Sequence, residues 1–212
     1  MTEPRGRTGR PPLSEERKAE IRWQIAWAAV DLFVAQGVTA TTGEQIGQAV
    51  GVSSRTVWRY FPSKESCVRP LLSAGIDLAV ACLRDWRSGQ PLEQLFDQEP
   101  TAAHGLVGGG DRATVGALVR LTRTEPGLRA VWLQMHDEAE PVFARALAER
   151  ADLPADDLRP TIRAAMLNAT LRAAVEHCAW RTADASADPS TVEAELRAAL
   201  RSALRIAAEG LS

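Results

Sequence analysis

The stretch that decides the fold is residues 46–65, IGQAVGVSSRTVWRYFPSKE. Ile46, Ala49 and Val50 fall on one face at helical spacing and predict a short buried helix. Gly51 stands where the chain must bend sharply, and Val52 fills the corner. Ser53 and Ser54 can cap a second helix, in which Thr56, Val57 and Tyr60 recur at near-helical spacing. Pro62 ends it, because the residue before a proline avoids helical angles, and Ser63 can cap the next helix. Two short helices about a glycine turn make a helix-turn-helix. The pattern puts Ser53, Ser54, Arg55, Thr56, Trp58 and Arg59 on a candidate DNA surface, with Lys64 just beyond it.

The denser string Thr56 to Glu65, TVWRYFPSKE, resembles the signature of the tetracycline-repressor (TetR) family of transcriptional regulators. Ala28-Ala29-Val30-Asp31-Leu32-Phe33, then Gly37, Thr41-Thr42 and Ile46, is similar to that family's entry into the motif, so the resemblance spans about 21–72. It implies a three-helix DNA-binding head on a larger helical body, with a small-molecule cavity in the body. It also implies a homodimer that binds a near-palindromic double-stranded operator. Arg55 is the first candidate for reading a base edge, and Ser53, Ser54 and Thr56 are lesser readers. Thr42, Trp58, Tyr60 and Lys64 are candidates for holding phosphates. Two departures stand out: Trp58 occupies a position where the family has tyrosine more often, and Gly43 and Gly47 replace larger residues. In a helix interior each glycine would cost about 1 kcal/mol against alanine.

The charge distribution agrees with such a division. Across 212 residues the net charge is −2, yet residues 1–69 carry ten Lys and Arg against seven Asp and Glu. A mildly basic head on an acidic body suits a DNA-binding module carried by something that is not one. Residues 1–13 are rich in Gly, Pro and Arg and predict a flexible arm, with Arg5, Arg7 and Arg10 available to a minor groove. Cys67, Cys82 and Cys178 are odd in number and widely spaced, which fits neither a disulfide framework nor a zinc site. With no apolar run behind the N-terminal arginines and no long apolar segment, the expectation is a cytoplasmic protein without a membrane span, metal or cofactor.

Apolar periodicity predicts an all-α protein: a flexible arm over 1–13, a DNA-binding head over 14–62 and a ligand-binding and dimerisation body over 63–212. The first helix, 14–36, carries one apolar stripe through Ile21, Ile25 and Phe33, and a second through Trp23, Trp27, Val30 and Val34. A helix from Ser63 to about Trp86 would contain Pro70 seven residues in, predicting a kink and a hinge. Further helices are predicted at 111–124, capped by Asp111 after the glycines 108–110, and at 128–150, 155–182 and 189–209. The last two carry stripes of mostly small residues, Leu158, Ile162, Ala165, Ala169, Ala173 and Val192, Leu196, Ala199, Ala203, Ala207, which predict a four-helix dimer interface. Candidates to line a pocket for a small, mostly apolar effector are Trp86, Phe96, Trp132, Met135, His136, Met166, Asn168, Thr170, His177 and Trp180. The alternative is a dimeric DNA-binding protein with no effector. An enzyme is disfavoured: the histidines lack metal-ligand spacing, and Glu176, His177 and Cys178 are successive helix positions that point apart.

Overall fold

Helix α1, Glu15–Gln36, begins where the Ser14 hydroxyl accepts the Arg17 N–H, and ends where Gly37 takes a positive φ of 86° that favours glycine. The computed structural model describes residues 14–87, 89–97, 112–154, 157–183 and 188–209. The arm with Arg5, Arg7 and Arg10, the glycines at 108–110 and the proposed Asp111 cap lie outside them. The remaining helices are α2 (Gly43–Ala49), α3 (Ser54–Tyr60), α4 (Arg69–Asp85), α5 (Arg112–Thr124), α6 (Pro126–Ala151), α7 (Leu158–Arg181) and α8 (Pro189–Glu209). Short 3-10 turns occupy Glu65–Val68 and Leu92–Gln94, and no strand occurs among the described residues.

Both faces of α1 are used. Ile21, Ile25, Ala29, Val30 and Phe33 are buried, and Trp23 and Trp27 pack half-buried against the same core. Val34 does not join them: it is 54% exposed, because the second stripe turns out of the contact surface before the helix ends. This core runs without a break from Ile46, Val57 and Phe61 in the head, through Cys67, Val68 and Leu72, to Leu118, Leu128, Trp132 and Met135 in the body. The turn at 62–63 therefore marks no gap in packing. A second core, built on Val80, Leu83, Leu95, Phe143, Leu167 and Leu204, fills the far end.

The connector differs from the predicted single kinked helix. Ser63 and Ser66 exchange hydrogen bonds, the Ser66 N–H to Ser63 Oγ at 3.1 Å and the Ser63 N–H to Ser66 Oγ at 3.0 Å, and a 3-10 turn is built on them. Helix α4 starts only at Arg69, so Pro70 lies in its first turn, where a missing N–H breaks no helical bond. Pro70 starts a helix instead of kinking one. The proline that does sit inside a helix is Pro141 of α6. The segment Glu65–Asp85 is apolar and long enough to cross a membrane by composition, but over half of its most apolar stretch is buried inside the fold, where α4 packs on α1 and α6. Burial in the core explains that apolarity.

Candidate DNA interface and body pockets

Helices α2 and α3 owe their placement to the two glycines. The Val52 N–H donates to Gly47 O at 2.9 Å, and a Cβ on Gly47 would stand 2.6 Å from Val52 O. The turn can approach α2 only because Gly47 has no side chain. Gly43 is not an interior residue but the first of α2, and a Cβ there would lie 2.0 Å from the Trp58 ring. The two departures from the family pattern thus fit each other: the indole of α3 lies on the bare backbone of α2. Ile46 is buried as expected, whereas Ala49 faces solvent and Val50 only half.

Arg55, Trp58 and Arg59 form the outward face of α3. The Arg59 guanidinium lies over the Tyr60 ring at 5.0 Å and Arg22 of α1 approaches the same ring at 5.3 Å, so Tyr60 ties two cations to the head. Ser53 caps α3 through Oγ, which accepts the Thr56 N–H at 3.2 Å and lies 3.0 Å from Thr56 Oγ1. Ser54 is half-buried beside it. Thr42 caps α2 reciprocally with Gln45: the Thr42 N–H donates to Gln45 Oε1 at 2.8 Å and Thr42 Oγ1 accepts the Gln45 N–H at 3.3 Å. Its hydroxyl proton is still available to an outside acceptor.

Lys64 is engaged within the head. Its ammonium donates to the carbonyls of Val38, Thr39 and Thr41, at 3.0 Å for the last. Three donors meet three acceptors, which clamps the α1–α2 loop. Lys64→Ala is expected to lower stability by roughly 1–2 kcal/mol, since these charge-assisted bonds are partly solvent-exposed. The check is urea unfolding beside a salt titration of DNA binding, whose slope should stay unchanged.

The ten predicted pocket residues do not meet in one place. Trp86 and Met166 line a mostly apolar cleft of about 310 Å³ at the far end, with Leu83, Leu147, Arg150 and Leu204. There the Arg150 guanidinium stacks 4.0 Å from the Trp86 ring centre and donates to the carbonyls of Trp86 and Arg87. Phe96 is half-buried against the second core. Met135 lines a separate groove between α4 and α6 with Ile76, Asp77 and Val80, and the Arg69–Glu138 ion pair (2.6 Å) borders it. Thr170 returns its hydroxyl to Met166 O at 2.7 Å. His177 lies exposed in a groove between α7 and α8, and Trp180 is on the surface with Arg123 over its ring.

Trp132, His136 and Asn168 do come together, in a polar centre between α6 and α7. Trp132 meets the imidazole edge to face at 4.3 Å and donates its indole N–H to Glu176 Oε1 at 3.0 Å. Arg129 pairs with the same carboxylate at 2.7 Å. Glu140 and Arg129 were missed from sequence, and Glu176 was weighed only beside His177 and Cys178. Their signal was present as polar residues at i, i+4, i+8 on facing helices: Trp132, His136, Glu140 and Asn168, Arg172, Glu176. Burial pulls His136 below the usual histidine range. Glu176, His177 and Cys178 face separate surroundings: an ion pair, solvent and the core. Burial pushes the Cys67 thiol up to about 12, and all three cysteines are buried outside any disulfide. No cluster of metal-ligating side chains occurs among the described residues.

An all-α body behind a helix-turn-helix head with an outward basic face defines a DNA-binding regulator. Residues 25–71 match the model of the bacterial regulatory proteins of the tetR family, and residues 110–212 match the MftR C-terminal domain. The HTH-type transcriptional regulator TcmR of Streptomyces glaucescens is 34% identical over 168 residues, covering 76% of this chain and 74% of the relative. The chain belongs to the TetR family of transcriptional regulators. Solved structures share the fold: a TetR-family regulator of Mesorhizobium loti (TM-score 0.51, 18% identity, 90% of this chain, 98% of that one) and Salmonella enterica GusR (0.51, 18%, 93%, 98%).

Proposed function

We propose that this regulator is a cytoplasmic homodimeric repressor that leaves a near-palindromic operator when a small, mostly apolar ligand occupies its body. The observation that carries this reading is the unbroken core from the recognition helix to α6, through which a change in the body can reach the head. Two recognition helices would occupy successive major grooves, about 34–36 Å apart. Arg55 reads a base edge, Ser53, Ser54 and Thr56 assist, and Thr42, Trp58 and Tyr60 position the head on phosphates. Arg55→Ala should then cost about 1–3 kcal/mol on the operator and little on random DNA. Equal losses on both would remove its reading role.

Support for the dimer comes from α7. Leu158, Ile162, Met166 and Trp180 are 67, 49, 47 and 45% exposed and, with Ala169 and Ala173, form one outward stripe. Ala165, expected in that stripe, is half-buried. On α8 the expected stripe turns inward: Val192 is buried, Leu196, Ala199, Ala203 and Ala207 are half-buried, and Ile206 faces out at 59%. The α8 small residues let it lie close on α7 within the same chain, so α7 supplies most of the apolar surface for a second copy. A salt-dependent titration on DNA flanking the protein's own gene, beside random DNA, tests the regulator reading. Selective binding with a steep salt slope is the expected result, and a screen for ligands that release the operator would come next.

A further inference from the structure

Asn168 decides where the proton sits on His136. The two side chains are 4% and 6% exposed and face each other across α6 and α7. The Asn168 amide nitrogen lies 2.9 Å from the backbone oxygen of His136 and 2.9 Å from Glu140 Oε1. Both partners are acceptors, so that nitrogen is the donor end. Turning the amide over would set its oxygen against two oxygens. Asn168 Oδ1 is therefore the atom 2.6 Å from His136 Nδ1, and an amide oxygen only accepts, so Nδ1 carries the proton. In a neutral imidazole Nε2 then holds a bare lone pair. That atom is buried and has no hydrogen-bond partner in the protein. A buried acceptor without a donor costs free energy that a matching donor recovers.

The surroundings limit what that donor can be. The Trp132 N–H is already used by Glu176, and Glu176 is neutralised by Arg129. A carboxylate or phosphate would bring lone pairs to a lone pair, and a cation would join Arg129 and Arg172, which already oppose positive charge on His136. An uncharged hydroxyl on an aromatic or aliphatic frame satisfies the acceptor without either conflict, and the Trp132 ring, 4.3 Å from the imidazole, supplies apolar surface beside it.

We propose that His136 Nε2 is the hydrogen-bond acceptor for the hydroxyl of a neutral effector bound beside Trp132 between α6 and α7. The assignment rests on the ligand-responsive reading above. The full-length protein, labelled with ¹⁵N at histidine, is titrated with phenol and with anisole, which has the same ring but no donor. Phenol should shift the His136 Nε2 resonance alone and bind about tenfold more tightly than anisole. His136→Phe should close that gap, and His136→Gln, whose amide oxygen also accepts, should keep part of it. Equal binding of the two probes, binding of neither, or an Nε2 resonance already that of a hydrogen-bonded nitrogen and unmoved by phenol would overturn the proposal. Operator release is measured separately. Phenol bound at Nε2 without release leaves the acceptor standing and overturns the effector reading, whereas release unchanged in His136→Phe does the reverse.

Discussion

Gly47→Ala is expected to destroy operator binding and to lower the melting temperature of the head. The new Cβ would lie 2.6 Å from Val52 O, 3.2 Å from Ser53 C and 3.2 Å from Ser54 N. All three are backbone atoms of the turn that places α3, so relief requires moving the recognition helix itself. Overpacking of this kind costs about 1–3 kcal/mol when side chains can yield, and more when only backbone is available. The Val52-to-Gly47 hydrogen bond would be stretched at the same time. Thermal unfolding beside an operator titration checks this, and an alanine variant with wild-type melting and affinity would show that the turn is looser than its geometry.

Gly43→Ala makes an instructive contrast. There the clash, 2.0 Å, is with the Trp58 ring, and a ring can move or be removed. Gly43→Ala alone should weaken operator binding by tilting α3, and adding Trp58→Ala should restore part of it, whereas Trp58→Ala should do nothing for Gly47→Ala. Non-additivity between residues in contact is the expected signature of a size-matched pair. Simple additivity would show that the indole does not set the angle of α3.

The second large effect is expected from Ile162→Arg. Ile162 is 49% exposed in the single chain and lies mid-stripe on α7, between Leu158 and Met166, so an arginine there leaves the monomer fold intact. In a dimer built on this stripe it would bury a charge with no partner, twice across the symmetry axis. The variant should be a folded monomer by sedimentation and lose operator affinity on the order of 100-fold or more, because the half-sites would no longer be bound together. A variant that remains dimeric would move the interface away from α7.

The range of the forces involved set how much of this was legible in the sequence. The helix-turn-helix, the Ser14, Thr42 and Ser53 caps, the Gly37 and Gly51 turns and the all-α class depend on residues within four positions of one another, and the chain alone determined them. Even Pro70 was readable as a helix breaker. Only the Ser63–Ser66 exchange and the 3-10 turn decided that it begins α4 instead of bending it.

The partners of long side chains were decided by tertiary structure. Lys64 looked like a phosphate contact because a free ammonium beside a recognition helix would be one, but its four-carbon stem reaches back 26 residues to the Val38 carbonyl. Gly43 and Trp58 are 15 positions apart, and nothing local says that one makes room for the other. The ten pocket candidates were chosen by residue type, which does not fix which side of a helix faces inward. Rotation about the helix axis is set by packing against neighbours distant in sequence. That rotation gathered Trp132, His136 and Asn168 into one buried centre, left Met166, His177 and Trp180 on the outside, and turned the α8 stripe toward its own chain.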